Sequence, residues 1–216
     1  MDAGARLAGR PAMTAASRDL IGRVLRHPAM VAVKLAVRDA WWAWRGPRFT
    51  NPRIGGATRL MFVCQGNICR SPFAALLTAR VANESGLAVE CRSSGYRARA
   101  GATSPDDAIE AARALGIDLR PHRASPLDAE GVAWADVIVV MEIAQTRLVA
   151  EQLPAAIPKL FVLPLVDADG PAPRGFARFN IADPYGRPQD VFDACYARIG
   201  ALVSPLVAAL RRERDD

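Results

Sequence analysis

The stretch Leu60-Met61-Phe62-Val63-Cys64-Gln65-Gly66-Asn67-Ile68-Cys69-Arg70-Ser71-Pro72 passes from an apolar run, through a polar loop, into a helix start. Leu60 to Cys64 reads as a buried strand, and Gln65 to Arg70 as a loop. Ser71 and Pro72 are helix-start residues, and Phe73, Leu76, Leu77, Arg80 and Val81 follow at helical spacing. A loop between a strand and a helix N-terminus gathers backbone N–H groups around one point and makes an anion site. Cys64 stands at the base of that cradle, where the helix dipole and the N–H groups favour a thiolate. Arg70 closes the loop with a planar fork that matches two oxygens of a phosphate. Gly66 is expected to supply a backbone conformation that other residues resist. A thiolate facing a bound oxyanion is equipped for nucleophilic attack on phosphorus.

Outward from this loop the chain alternates strands and helices. Leu87 to Cys91 reads as a second strand, and Val137 to Met141 as a third, wholly apolar one. Leu160 to Leu163 reads as a shorter fourth. A helix opens at Ser104-Pro105-Asp106-Asp107 and stops at Gly116. A long closing helix covers Gln189 to Leu210, with Pro205 leaving its last part open. This pattern predicts an α/β fold with a parallel sheet covered by helices on both faces. The composition agrees: of 216 residues, 51% are hydrophobic and 23% charged, which excludes a wholly disordered chain. Four cysteines are too few for a disulfide scaffold.

The pattern Cys64-x-Gly66-Asn67-x-Cys69-Arg70-Ser71-Pro72 resembles the signature of the low-molecular-weight protein tyrosine phosphatases of bacterial type, over roughly residues 58–212. The resemblance implies a four-stranded parallel sheet flanked by helices and hydrolysis of phosphotyrosine through a phosphocysteine. It makes Cys64 the nucleophile and Arg70 the phosphate clamp. It also draws attention to Ile181-Ala182-Asp183-Pro184-Tyr185 just before the closing helix, where Asp183 matches the family's general acid. General acid catalysis contributes roughly 10²–10⁴-fold, and Pro184 would stiffen the loop that presents the acid. Gln65, Gly66, Asn67, Ile68, Cys69, Ser71 and Tyr185 are the expected substrate-binding set. Within it, Ser71 is expected to hydrogen-bond the thiolate or cap the helix, and Asn67 to hold the loop through Ser93 and His122. Ile68 and Tyr185 are expected to wall the phenyl ring. Cys69 either forms a reversible disulfide with Cys64 or is a small buried side chain, and Cys91 and Cys195 read as core residues. The Ser94–Arg99 segment matches a variable rim loop and carries two arginines here, Arg97 and Arg99, which either favour acidic flanking sequence or an anionic partner, or are solvated side chains. No metal or other cofactor is expected, because the cradle supplies the positive field.

Two other functions compete. A thioredoxin-coupled arsenate reductase shares the fold and loop, but it needs further cysteines placed together, and Cys91 and Cys195 are far apart in sequence. A non-catalytic phosphate-binding adaptor is disfavoured by the retention of Cys64, Arg70 and Asp183. A zinc site on Cys64 and Cys69 has the wrong spacing, and only two histidines occur.

The charge divides the chain into residues 1–57 and 58–216. The first part holds ten Lys and Arg against three Asp and Glu; the second holds 18 against 19. The net charge of +6 therefore belongs to the N-terminal extension. Within it, residues 29–45 show helical periodicity. Met30, Val33, Val37, Trp41 and Trp44 share one face, and Lys34, Arg38 and Arg45 fall to the other side. That face would either pack on the domain or a second subunit, or dock peripherally on an anionic membrane or a partner. Residues 1–18 read as disordered, and a start codon placed too far upstream is a third account of the extension. Nucleic-acid binding finds no motif. Without a long apolar run or a cleavage pattern, the cytoplasm is the expected compartment, with the inner membrane face if the helix docks there. Phosphotyrosine proteins are the expected partners, among them membrane-associated tyrosine kinases of exopolysaccharide production, which bacterial family members commonly dephosphorylate.

Overall fold

Alternation of apolar side chains along two central strands builds a core on each face of one sheet. The structure, a computed structural model, describes residues 27–45, 52–166 and 175–212. β1 (Arg59–Cys64) and β3 (Val137–Val140) lie side by side, flanked by β2 (Glu90–Gly95) and β4 (Leu160–Val162) in the order β2-β1-β3-β4, all parallel. Leu60, Phe62 and Cys64 point to one face with Val137 and Val139; Met61 and Val63 point to the other with Ile138 and Val140. On the first face lie α2 (Arg70–Glu84), α3 (Asp106–Ala114) and the closing helix α7 (Gln189–Arg211). On the second lie α4 (Ala129–Trp134) and α5 (Ile143–Gln152).

Several sequence expectations shift. The second strand runs from Glu90 to Gly95 rather than over Leu87–Cys91. Leu87 and Val89 pack against the core before the strand begins, and the polar Arg92-Ser93-Ser94 continues the pairing with β1 because β2 is a sheet edge. The helices α4 and α5 are too short to give a clear periodicity. Pro205 does not end the closing helix, which continues to Arg211. The carbonyl deprived of its bond belongs to Ala201 on the exposed side. This helix is long and apolar enough to cross a membrane by length and composition, yet Phe192, Tyr196, Ile199, Leu202, Leu206 and Leu210 lie in the protein core.

At the far end of the sheet, Asp136 ties β1 to β3. Its carboxylate accepts from the N–H groups of Thr58 and Arg59, from the Thr58 hydroxyl and from the Arg59 guanidinium. The bond from Arg59 above all holds its pKa at about 2. The packed unit reaches back to Ile54 and Ala57, and the Gly56 N–H donates to the Leu210 carbonyl.

The extension contributes α1 (Pro28–Arg45), which touches the four-residue helix α6 (Phe176–Phe179). The Arg38 guanidinium sits 4.2 Å from the centre of the Phe176 ring. Met30, Val33, Val37, Trp41 and Trp44 are each more than a third exposed. Residues 1–18 lie outside the described residues.

Candidate active site

Cys64 is the last residue of β1, and Arg70 the first of α2, so the sheet edge and the helix N-terminus fix both ends of the loop. The helix begins one residue before the expected Ser71-Pro72, and Ser71 makes no cap bond. Its hydroxyl instead lies 3.1 Å from the Cys64 Sγ. The Ser71 Oγ accepts from the Asn67 amide at 2.9 Å and reaches the Ser94 carbonyl at 3.3 Å. Its single hydrogen is thus free to donate either to that carbonyl or to sulfur, and a thiolate takes it.

Asn67 is the hub of the loop. Its amide donates to Ser71 and Ser93, its carbonyl side-chain oxygen accepts from the Ser125 N–H at 2.8 Å, and its backbone carbonyl accepts from His122 Nε2 at 2.7 Å. Burial lowers the His122 pKa, and because a carbonyl can only accept, Nε2 carries the proton of the bond to Asn67. Asn67, at φ 53°, and not Gly66, takes the left-handed conformation. Asparagine tolerates that region better than most residues, and its satisfied side chain holds it there. The loop also packs closely on the end of β2. A Cβ at Gly95 would lie 2.6 Å from the Gln65 carbonyl oxygen.

Arg70 is 2% exposed and lies between two carboxylates. Its Nη1 donates to Glu142 and to the Ile181 carbonyl, and its Nη2 pairs with Asp183 at 2.7 Å. Burial opposes its charge, but Cys64, Asp183 and Glu142 outweigh burial and raise its pKa. Its Nε is a buried donor with no acceptor among the described residues. Glu142 is the functional residue that sequence reading missed. It follows β3, the strand next to β1, and a ligand in an open parallel sheet binds at the carboxyl ends of the strands. An acid at that position was the available signal. The Gln145 amide donates to Glu142, while the Gln145 carbonyl oxygen accepts from the Met141 N–H.

A cleft of about 130 Å³ brings together Cys64, Gln65, Gly66, Ile68, Cys69, Arg70, Asp183 and Tyr185. Asn67 and Ser71, placed in the substrate-binding set by sequence, lie behind the loop and act on its shape and on the sulfur. Cys69 faces the cleft, but burial and then Cys64 push its thiol pKa up, which keeps it protonated. Burial similarly pushes Cys91 and Cys195 up to about 12. Tyr196 stacks on Phe73 and donates to the Cys69 carbonyl at 3.1 Å, fastening α7 to the loop. At the rim, the Arg97 N–H donates to the Gln65 carbonyl, and neither the Arg97 nor the Arg99 guanidinium has an acidic partner among the described residues.

Comparison with known proteins agrees with this geometry. The family model for low molecular weight phosphotyrosine protein phosphatase matches residues 59–216. A protein-arginine-phosphatase of Geobacillus stearothermophilus is 32% identical over 158 residues, covering 72% of this chain and 98% of the relative. A probable low molecular weight protein-tyrosine-phosphatase, EpsP, of Ralstonia nicotianae is 32% identical over 152 residues, covering 70% and 95%. The crystal structure of the Erwinia amylovora tyrosine phosphatase AmsI superposes with a TM-score of 0.63 at 29% identity, covering 72% of this chain and 95% of that one.

Proposed function

The chain belongs to the low molecular weight phosphotyrosine protein phosphatase family, and we propose that it hydrolyses phosphotyrosine in proteins through a phosphocysteine on Cys64. The Cys64 thiolate attacks phosphorus in line, and the bond from phosphorus to the phenolic oxygen breaks as Asp183 gives that oxygen its proton. Asp183, now a carboxylate, takes a proton from water. The water oxygen attacks phosphorus, the S–P bond breaks, and phosphate leaves with the thiolate restored. Arg70 and the loop N–H groups hold the phosphoryl oxygens throughout. Entry of phosphate competes for the guanidinium that Asp183 holds, which frees the carboxyl for proton transfer. Glu142 stays on the opposite edge of Arg70 and keeps the fork in plane.

The observation that carries this reading is the convergence on one cleft of Cys64, Arg70 and Asp183. Ile68 and Tyr185 are walls suited to a phenyl ring. Phosphoarginine, suggested by the name of one relative, is the second reading. A guanidinium asks for acceptors, and the single carboxylate lining the cleft, Asp183, is already engaged by Arg70. The two unpaired arginines at the rim select acidic residues beside the phosphotyrosine. The partner that fits the family is a membrane-associated tyrosine kinase of exopolysaccharide production at the inner face of the membrane.

Wild-type protein should turn over para-nitrophenyl phosphate and phosphotyrosine peptides, and Cys64→Ser should abolish turnover of both while still binding phosphate. Turnover by Cys64→Ser at the wild-type rate would overturn the nucleophile assignment. A higher kcat/KM on phosphoarginine than on phosphotyrosine would move the substrate to the second reading. Equal kcat/KM at low salt on acidic and neutral phosphotyrosine peptides would remove the role given to Arg97 and Arg99.

A further inference from the structure

Between α6 and Asp183 the chain passes through one buried polar side chain that the reaction described above does not use. Asn180 is 3% exposed and follows the last residue of α6, where the backbone becomes extended at φ −144° and ψ 139°. Its side chain answers two helix ends at once. The Asn180 Nδ2 donates to the Phe176 carbonyl at 2.9 Å, in place of the backbone N–H that a further helical residue would offer. The Asn180 Oδ1 accepts from the Ile143 N–H at 3.2 Å, at the start of α5 and 37 positions away in sequence. Glu142 precedes α5 without making a side-chain cap bond, so the cap comes from Asn180. The backbone is joined at the same place: Asn180 and Glu142 form an isolated antiparallel bridge, and the Ile181 N–H donates to the Met141 carbonyl at 2.8 Å.

We propose that Asn180 is a positioning residue for the general acid: by fixing the register of residues 180–181 against the carboxyl end of β3, it sets where Asp183 stands over the cleft. The proposal rests on the reading of Asp183 as that acid. Register at this bridge decides how Arg70 is shared. Glu142, across the bridge, and Asp183, three residues beyond Asn180, pair with the same guanidinium, and the Ile181 carbonyl accepts from it at 2.9 Å. A slip of one residue would carry Asp183 about 3.3 Å along the chain and turn its side chain away. The acid's other attachments do not fix this register. Its pairing with Arg70 is given up when a phosphoryl group takes the guanidinium. The Tyr185 N–H donates to Asp183 Oδ1 at 3.3 Å, a turn that moves with the loop. During proton transfer the carboxyl is therefore held by its backbone, anchored before it at Asn180 and Ile181 and after it at the start of α7. Asparagine suits the task because one short side chain offers both a donor and an acceptor; aspartate lacks the donor and alanine lacks both.

The test measures kcat/KM of the full chain on aryl phosphates of rising leaving-group pKa, from para-nitrophenyl phosphate to phosphotyrosine. Asn180→Ala should lower kcat/KM on phosphotyrosine roughly 10- to 100-fold and on para-nitrophenyl phosphate much less, because the poorer leaving group depends on the delivered proton. Inhibition by inorganic phosphate should be unchanged, since Arg70 and the loop N–H groups hold the anion. Added to Asp183→Ala, Asn180→Ala should cost phosphotyrosine hydrolysis little further. A loss spread equally over the substrates, phosphate inhibition weakened by the same factor, or full additivity with Asp183→Ala overturns the proposal and leaves Asn180 a structural residue only. Asp183→Ala alone separates this outcome from failure of the acid reading. A steep leaving-group dependence there with a flat one in Asn180→Ala removes the role of Asn180, whereas a flat one in Asp183→Ala removes the acid and its positioning together. If Asn180→Ala does not fold, Asn180→Asp keeps the acceptor for Ile143 and lacks the donor to Phe176. It should show the same dependence to a smaller degree, and a flat dependence in this variant overturns the proposal.

Discussion

Between Cys64 and Ser71 the chain buries Asn67, Arg70 and Ser71 to 2% exposure or less, whereas between Met30 and Trp44 it leaves five large apolar side chains between 36% and 65% exposed. Each region reverses the usual partition of polar and apolar groups. In the loop the reversal is sustained by partners: every polar atom of the Asn67 side chain is used, and Arg70 has carboxylates on both edges. The cost of burying polar groups is met inside the protein, except at Arg70 Nε. On the helix the reversal is one of exposure: the five apolar side chains keep a third or more of their surface open.

The comparison can be broken at the loop first. Asp183→Ala should slow hydrolysis of phosphotyrosine roughly 10²–10⁴-fold and affect para-nitrophenyl phosphate less, since its leaving group needs less help. Equal losses on both substrates, read from kcat, would show that Asp183 serves the loop rather than the leaving oxygen. Next comes Asn67→Ala, which leaves the Ser125 N–H without its acceptor and frees the left-handed turn. It should cost about 2–3 kcal/mol of stability by urea unfolding. A loss under about 1 kcal/mol would mean that the turn is held by other groups.

His122 gives a smaller, pH-dependent effect. Burial depresses its pKa below 6.5 in the fold, so the unfolded chain takes up the proton first. Its neutral form contributes fully above pH 6.5, and that contribution is lost as pH falls through the folded value. Urea midpoints at about pH 8 and about pH 5.5 should therefore diverge more in wild type than in His122→Gln. The smallest change is expected on the helix. Val37→Ser should alter stability by less than about 0.5 kcal/mol, and a larger loss would mean that the stripe packs on the domain.

Most of the site was legible because its chemistry is continuous in sequence. A cysteine, an arginine and a helix start within one loop define an anion cradle whatever the rest of the chain does, and the apolar runs of β1 and β3 place it at the carboxyl end of buried parallel strands. The residues that were not legible act across the fold. Glu142 is a lone acid after an apolar strand, and only the adjacency of β1 and β3 brings it to Arg70. Gly66 reads as the residue with the unusual conformation, but Asn67 takes it, because Ser71 and three partners from distant segments, Ser93, His122 and Ser125, hold it there. β2 was misplaced toward its apolar flank, since an edge strand needs backbone pairing more than apolar side chains.

The hydrogen bond from Tyr196 to the Cys69 carbonyl joins residues 127 positions apart. A ribosome delivers the cysteine loop early and the tyrosine that braces it near the end of synthesis. The nascent chain thus carries its reactive sulfur for most of its translation without the strut that completes the cradle. Catalytic competence arrives late, when the last helix docks, and a chain truncated before Tyr196 would leave the thiol present and the loop without its brace.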